Sequence, residues 1–227
     1  TPKRRGAWFE SYLTSIIERD IRDLARIQET SAMLRVMRML AARTATLLNQ
    51  SELSRTLQIP NATLGRHLKL LEKVFLLHLL PAWSVNLGKR LVKAPKAHLV
   101  DCGLAAHLMG LDGKGLIRSP ERAGQLLETF AVNEILKHLT WSQIDASPYH
   151  FRTNAGLEVD LILERPSGDV ACIEVKHAAQ VANKDFKGLR SLRKDLGHRF
   201  INGIVLYNGT RIIPFEHNLF AVPFAAL

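Results

Sequence analysis

Two runs of alternating residues, set on either side of a turn, constrain this chain more than any other stretch. The first is Gly156-Leu157-Glu158-Val159-Asp160-Leu161-Ile162-Leu163, the second Ala171-Cys172-Ile173-Glu174-Val175-Lys176, and Pro166-Ser167-Gly168-Asp169 stands between them. Side chains of a strand alternate between its faces. Leu157, Val159, Leu161 and Leu163 therefore take one parity, and Glu158, Asp160 and Ile162 the other. Glu174 and Lys176 share a face, with Cys172 behind them. A hairpin closed by the turn formers sets Asp160 across from Glu174. Two carboxylates so placed are oxygen ligands for Mg²⁺ or Mn²⁺, with waters completing the shell. Such an ion polarises a phosphoryl oxygen and lowers the pKa of a bound water. Lys176, a compact cation two residues along, is placed to orient that water or to offset charge developing on a phosphate. A surface hairpin with scattered charges on a solvated face fits the same residues, so the flanking sequence has to decide.

Those flanks read as a helix over 124–139 carrying Glu128 and Glu134, a strand at Tyr149-His150-Phe151-Arg152, the two alternating strands, a helix over 186–194 and a strand over 201–206. The order is α-β-β-β-α-β. Asn208-Gly209 is a hairpin signal, and 219–224 reads as an edge strand limited by Pro223. Residues 121–207 thereby resemble the restriction-endonuclease-like, or PD-(D/E)xK, superfamily. The resemblance implies Asp160 and Glu174 as metal ligands and Lys176 as the catalytic lysine. It implies Glu128, in Gly-x-x-x-Glu, as the outer acid. Glu134 competes for that role, because the two point about 120° apart on a helix. Val159 stands where the motif has its leading proline.

At 227 residues and 47% hydrophobic, the chain has core enough for one large domain or two small ones. Its two cysteines, Cys102 and Cys172, make neither a disulfide framework nor a zinc pattern, which points to a reducing, cytoplasmic setting. The longest apolar stretch, 74–80, is interrupted by His78 and too short to span a bilayer, so no membrane role is expected. A first residue of Thr1 reads as a fragment. The net charge is +10, and residues 1–120 carry all of it, with 19 Lys/Arg against 9 Asp/Glu; residues 121–227 carry 12 of each. A basic half beside a neutral one points to phosphate, and DNA is the expected partner; an acidic protein fits the same charge.

Residues 8–42 read as two helices. Trp8, Tyr12, Ile16, Ile17, Ile21 and Leu24 form one stripe, supported by Glu18–Arg22 and Arg19–Asp23 pairs; Met33, Leu34, Met37 and Leu40 form a second, core-forming stripe. Ser51 is the expected cap of a short helix through Leu57. Ile59-Pro60 breaks it, and Asn61 caps a longer helix with Leu64, Leu68 and Leu71 inward. Ala62, Thr63, Arg66, His67 and Lys69 remain outside. This is a helix-turn-helix pattern. Strands over 75–83 and 91–100 make it a winged variant. Its DNA contacts are expected at Arg66 and Lys69 on the helix and at Lys89, Arg90, Lys93 and Lys96 in the wing. Asp101 is expected to cap a short helix. Gly110-Leu111-Asp112-Gly113-Lys114-Gly115 reads as linker; it lacks the G-x-x-x-x-G-K-[ST] pattern of a phosphate-binding loop.

Several stretches together, Trp8-Phe9-Glu10-Ser11-Tyr12-Leu13, Glu18-Arg19-Asp20-Ile21, Asn86-Leu87-Gly88-Lys89-Arg90, Lys93-Ala94-Pro95-Lys96, Val100-Asp101-Cys102-Gly103-Leu104 and Leu127-Glu128-Thr129-Phe130, resemble a bacterial and archaeal family of AAA-type predicted ATPases. In that family a P-loop module precedes a C-terminal domain of uncharacterised function. The resemblance implies that this chain is the C-terminal part, with ATP bound only by a module absent from it. The resulting expectation is an α/β (α+β overall) protein: a helical connector over 1–45, a winged helix-turn-helix over 46–111, a linker over 112–120 and a nuclease-like domain over 121–227. Its expected function is DNA binding and metal-dependent cleavage beside an upstream ATPase, as a possible oligomer. The alternatives are a catalytically silent binding module and a protein–protein adaptor.

Overall fold

The computed structural model describes residues 2–21, 30–86, 88, 90 and 93–227, and they form a mixed α/β structure. Among them no helix is long and apolar enough to cross a membrane. Contacts divide the chain into two compact units, and neither is one continuous segment. Thr1–Leu79 joins Lys96–Arg122, and Leu80–Pro95 joins Ala123–Leu227.

The first unit opens with α1 (Pro2–Ser15), a π-helical turn (Ile16–Ile21) and α2 (Thr30–Ala42). Phe9, Leu13 and Ile17 are buried, whereas Trp8 is 56% exposed. The buried stripe is thus rotated one residue from the one expected through Trp8 and Tyr12, because the Phe9 ring stacks on His107. Arg22, Asp23 and Leu24 lie outside the described residues. In α2, Met33, Met37 and Leu40 are core, as the stripe predicts; Val36, outside that stripe, is core as well, and Leu34 is only half-buried.

Next come β1 (Thr46–Leu47), α3 (Gln50–Leu57), α4 (Asn61–Lys73), β2 (Leu77–Leu80) and β3 (Lys96–Leu99), the strands forming a sheet in the order β1-β3-β2. The cap of α3 is Asn49 rather than Ser51. Asn49 has the extended backbone a cap needs, and its Oδ1 accepts the Glu52 N–H at 3.0 Å. Pro60 occupies the cap position of α4, which has no side-chain cap. Leu64, Leu68 and Leu71 face inward as expected, but so does His67, three residues from Leu64 and four from Leu71. β2 is shorter than the strand expected over 75–83, since Phe75 takes a left-handed φ of 56° and is 79% exposed.

Asp101 caps α5 (Cys102–Leu108) through the Leu104 N–H at 2.7 Å. The stretch expected as linker holds a further helix, α6 (Gly113–Arg118). Its glycines argue against a helix, but Asp112 Oδ1 accepts the Gly115 N–H at 2.7 Å and closes the first turn.

The second unit contains most of α7 (Pro120–Trp141), then β4 (Ser147–Arg152), β5 (Glu158–Glu164), β6 (Val170–Lys176), a 3₁₀ turn (Asn183–Phe186), α8 (Lys187–Leu196), β7 (Phe200–Tyr207), β8 (Ile213–Glu216) and β9 (Leu219–Pro223). From α7 to β7 the order is α-β-β-β-α-β, as expected. The six strands run β4-β5-β6-β7-β9-β8, with β4 to β6 antiparallel and β7 parallel to both β6 and β9. Ala131 and Val132 of α7 pack on Leu161, Ile173 and Leu206, while Phe186, Leu189 and Leu192 pack with Val159, Ile162 and Cys172. The close approach of α8 to β5 requires Gly188, where a Cβ would stand 2.4 Å from the Glu158 carbonyl oxygen.

Asn208-Gly209 does not turn a hairpin, because β7 pairs with β9 in parallel. Gly209 instead clears the Tyr207 ring, whose Oη donates to the Arg211 carbonyl at 2.7 Å. The hairpin joins β8 to β9 and turns through Asn218, at a φ of 58°. β9 therefore lies inside the sheet, with β8 beside it, rather than at the edge.

The segment Leu80–Pro95, expected as part of a wing, packs with the second unit. Trp83 N–H donates to the His150 carbonyl at 2.6 Å, His150 N–H donates to the Pro81 carbonyl at 2.9 Å, and Ala82 forms a parallel bridge to His150. The segment so pairs with β4, and Trp83 enters the core beside Val159 and Ile162.

Candidate functional site

The antiparallel register of β5 and β6 runs through Ile162↔Cys172 and Leu161↔Ile173, so Asp160 and Glu174 are the next residues in line. β5 does not alternate strictly. Against β4 the register passes from Tyr149↔Ile162 to Phe151↔Val159, which puts one extra residue into β5. Val159 and Ile162 consequently share one core cluster while Leu161 and Leu163 join the other, so the parity read for Leu157, Val159, Leu161 and Leu163 breaks at this bulge.

Asp160, 6% exposed, sits at the irregularity, and its Oδ2 accepts the Val175 N–H of the neighbouring strand at 2.9 Å. Lys176 Nζ donates to Glu174 Oε1 at 2.6 Å. Burial alone would lower the Lys176 pKa, but Glu174, then Asp160 and Asp185, raise it and keep the ammonium charged. Asp160, Glu174 and Lys176 thus belong to one electrostatic cluster, as the two strands predict. Asp185 is the member that sequence reading missed. It lies in the 3₁₀ turn before α8, where its carboxylate also accepts the Ala182 N–H at 2.7 Å. Its only sequence signal, an acid just ahead of a helix, is that of a cap.

Glu128 and Glu134 occupy different sides of α7. Ala131, Val132 and Ile135 face the sheet core, and Glu128 falls in the middle of their stripe at about 100° per residue. One turn earlier, Gly124 lies 3.9 Å, measured from an ideal Cβ, from the Cβ of His177, the residue after Lys176. Glu134 is paired with Lys137 at 2.5 Å, away from that stripe. Asp160 and Glu174 supply hard oxygen donors, which suits a small divalent cation. Among the described residues no three of His, Cys, Asp and Glu gather as a metal cage.

The expected DNA contacts separate into three groups. Arg66 and Lys69 are exposed on α4, with Arg66 also donating to Thr63 Oγ1 at 3.1 Å, and Lys93 is exposed. Lys89 lies outside the described residues. Arg90 and Lys96 do not fit the wing. Lys96 is 1% exposed within β3, inside the first unit's core. Arg90 grips Glu164 with two nitrogens, at 2.5 and 3.0 Å, donates to the Ser84 carbonyl, and lies over the Trp83 and Tyr149 rings at 5.3 and 4.9 Å. Arg199 holds the same carboxylate at 3.1 Å. Burial would push the Glu164 carboxyl up, yet Arg90 above all, with Trp83 and Arg199, holds it below its ordinary value. A flat guanidinium with two aromatic rings and a carboxylate in reach is satisfied here, and no phosphate contact remains for it. Counted over the two units, Lys/Arg exceed Asp/Glu by 17 to 10 in the first and 14 to 11 in the second, so the basic excess is less one-sided than the halves of the sequence imply.

Residues 1–115 match the model of the family described as domain of unknown function DUF8612, and residues 123–227 match that of domain of unknown function DUF4143. Uncharacterized proteins of Mycobacterium bovis and Mycobacterium tuberculosis are each 28% identical to this chain over 221 residues, covering 96% of it and 47% of their own length. The chain spans about half the length of these curated relatives. The DUF8612 match extends over half of the chain, which belongs to that family.

Proposed function

We propose that this member of the DUF8612 family is the DNA-handling end of a longer, ATPase-containing protein, and that its second unit cleaves phosphodiesters with a divalent ion. The observation that carries the reading is the Asp160, Glu174 and Lys176 cluster on the paired strands β5 and β6, beside the bulge that β5 makes against β4, within an α-β-β-β-α-β order like that of restriction-endonuclease-like folds. Asp160 and Glu174 would hold Mg²⁺ or Mn²⁺, with Glu128 as the outer acid. When bound, the ion supplies a polarised phosphoryl oxygen and an acidified water. The remaining work falls to the chain. The Val175 N–H fixes the rotamer of Asp160. Glu174 and its acidic neighbours keep Lys176 protonated, and the ammonium offsets negative charge that develops on the phosphate. Arg66 and Lys69, on the second helix of a helix-turn-helix arrangement backed by a small sheet, and Lys93 supply phosphate contacts. The ATPase reading rests on the resemblance of the sequence and on relatives twice this length.

A second reading, a silent nuclease-like module that only binds, draws on the engagement of both carboxylates within the protein, Asp160 with Val175 and Glu174 with Lys176. One experiment separates the two: purified chain with plasmid, single-stranded and branched DNA, with Mn²⁺ or with chelator, beside Asp160→Ala. The nuclease reading expects cutting that requires the ion and disappears with Asp160→Ala together with ion binding. Cutting that survives chelation, or equal cutting by both proteins, overturns it; binding without cutting favours the silent module.

A further inference from the structure

On the side of α7 turned away from the sheet, Phe130, Glu134, Lys137 and Trp141 follow one another at intervals of four, three and four residues. At about 100° per residue they lie within a stripe about 60° wide. That interval pattern is the seam by which one helix meets another. Phe130 is 41% and Trp141 68% exposed, an unusual outlay of aromatic surface for one helix face, and His138 packs on the Trp141 ring to hold it. Between the aromatics stand the paired Glu134 and Lys137.

The stripe is symmetric about its own middle. Midway between Ile135 and Leu136, Phe130 and Trp141 are equally distant on either side, and so are Glu134 and Lys137. A two-fold axis at that point lays a second α7 antiparallel on the first. It sets each Phe130 against the partner's Trp141 and each Glu134 against the partner's Lys137. The four charges then alternate in sign around the axis, capped at each end by an aromatic pair. A nucleic acid has no use for a glutamate at the centre of its contact, and an unrelated protein would not demand this internal symmetry. An isologous contact does.

We propose that the outer face of α7 is a self-association surface on which two copies of this chain pair antiparallel. Burying the exposed parts of four aromatic side chains and their neighbours removes on the order of 500–1,000 Å² from water. That is below the size of a stable specific interface and in the range of transient contacts, so the dimer is weak and reversible, with a dissociation constant in about the ten-micromolar range or weaker.

The test is sedimentation of the 227-residue chain over a concentration series, with circular dichroism confirming that each surface variant folds. Wild type should pass from monomer to dimer. Trp141→Ala should weaken association about tenfold or more, because aromatic anchors dominate such contacts. Glu134→Lys and Lys137→Glu should each weaken it by a similar factor, since either one places like charges face to face twice. The double variant carrying both exchanges restores the alternation and should recover association to within about threefold of wild type. A double variant as weak as the single ones overturns the pairing, as does a dimer indifferent to Trp141→Ala. A chain that stays monomeric overturns it too, and if Trp141→Ala then lowers DNA affinity, the face belongs to nucleic acid.

Discussion

Two charged clusters on the same sheet handle opposite problems. At one end of β5, a single carboxylate, Glu164, is held by two guanidinium groups, Arg90 and Arg199, and Arg90 is itself covered by Trp83 and Tyr149. At the other end a single ammonium, Lys176, draws on Glu174, Asp160 and Asp185. The first cluster has cation in excess, planar partners and bidentate geometry, all features that close it. The second has carboxylate in excess around a compact cation that makes one short contact. Excess carboxylate in a partly buried place is a standing demand for positive charge. Of the two, the arginine cluster has the features of a structural clasp, and the lysine cluster is where the proposed ion would be held.

That contrast breaks if the clusters respond alike to mutation. The largest effect is expected at the lysine. Lys176→Ala should reduce metal-dependent cutting by about 10²–10³-fold, the scale for losing one transition-state stabiliser. Mn²⁺ binding by calorimetry should be retained, and the fall in thermal midpoint caused by the stranded carboxylates should be recovered by saturating Mn²⁺. Next in size, Arg90→Ala should lower unfolding free energy by about 3 kcal/mol in urea titration, because it strands most of a nearly buried pair, 11% and 13% exposed. Per folded molecule, cutting should not change. Arg90→Lys should recover only part of that loss, leaving about 1–2 kcal/mol, since an ammonium neither forks onto a carboxylate nor stacks flat between rings. If lysine restores full stability, Arg90 is an ordinary charge and the contrast blunts.

The smallest effect is in acid. The Glu164 carboxyl is held below its ordinary value of 4.5 in the folded protein. Its contribution is therefore complete above 4.5 and lost as pH falls through the lowered folded value. Stability curves of wild type and Glu164→Gln should converge across that window. Parallel curves would mean the guanidinium groups do not set this titration.

The site was legible where its determinants are local. Alternation, a turn and an acid-x-lysine spacing are short-range, and Asp160, Glu174 and Lys176 come together as those patterns require. Their exact faces were not, because a single inserted residue in β5 resets the parity and depends on the register with β4. Asp185 escaped notice because its approach to Lys176 depends on where α8 docks, which Gly188 permits through a contact with β5. The phosphate role read for Arg90 failed for the same kind of reason. Basic residues between two apolar runs look like a loop at a phosphate, and only the partner of Arg90, 74 residues later in the chain, says otherwise. Lys96 shows that charge read from sequence carries no depth: within β3 it is buried. The same holds for 208–209, where a turn signal served the packing of a tyrosine ring.

The placement of Leu80–Pro95 also fixes a sequence of events in time. On a ribosome this segment emerges before the strand that receives it, and the 74 residues from Arg90 to Glu164 take about 4–15 s to make at ordinary elongation rates. For most of that interval Trp83 and Arg90 lack β4, the Tyr149 ring and the Glu164 carboxylate, and have little beyond each other to meet. The second unit cannot be completed by its own C-terminal stretch alone, because it must recover a piece of chain made earlier. A nascent chain halted between Lys96 and Glu164 would present that piece bare, to a chaperone or to another copy's β4.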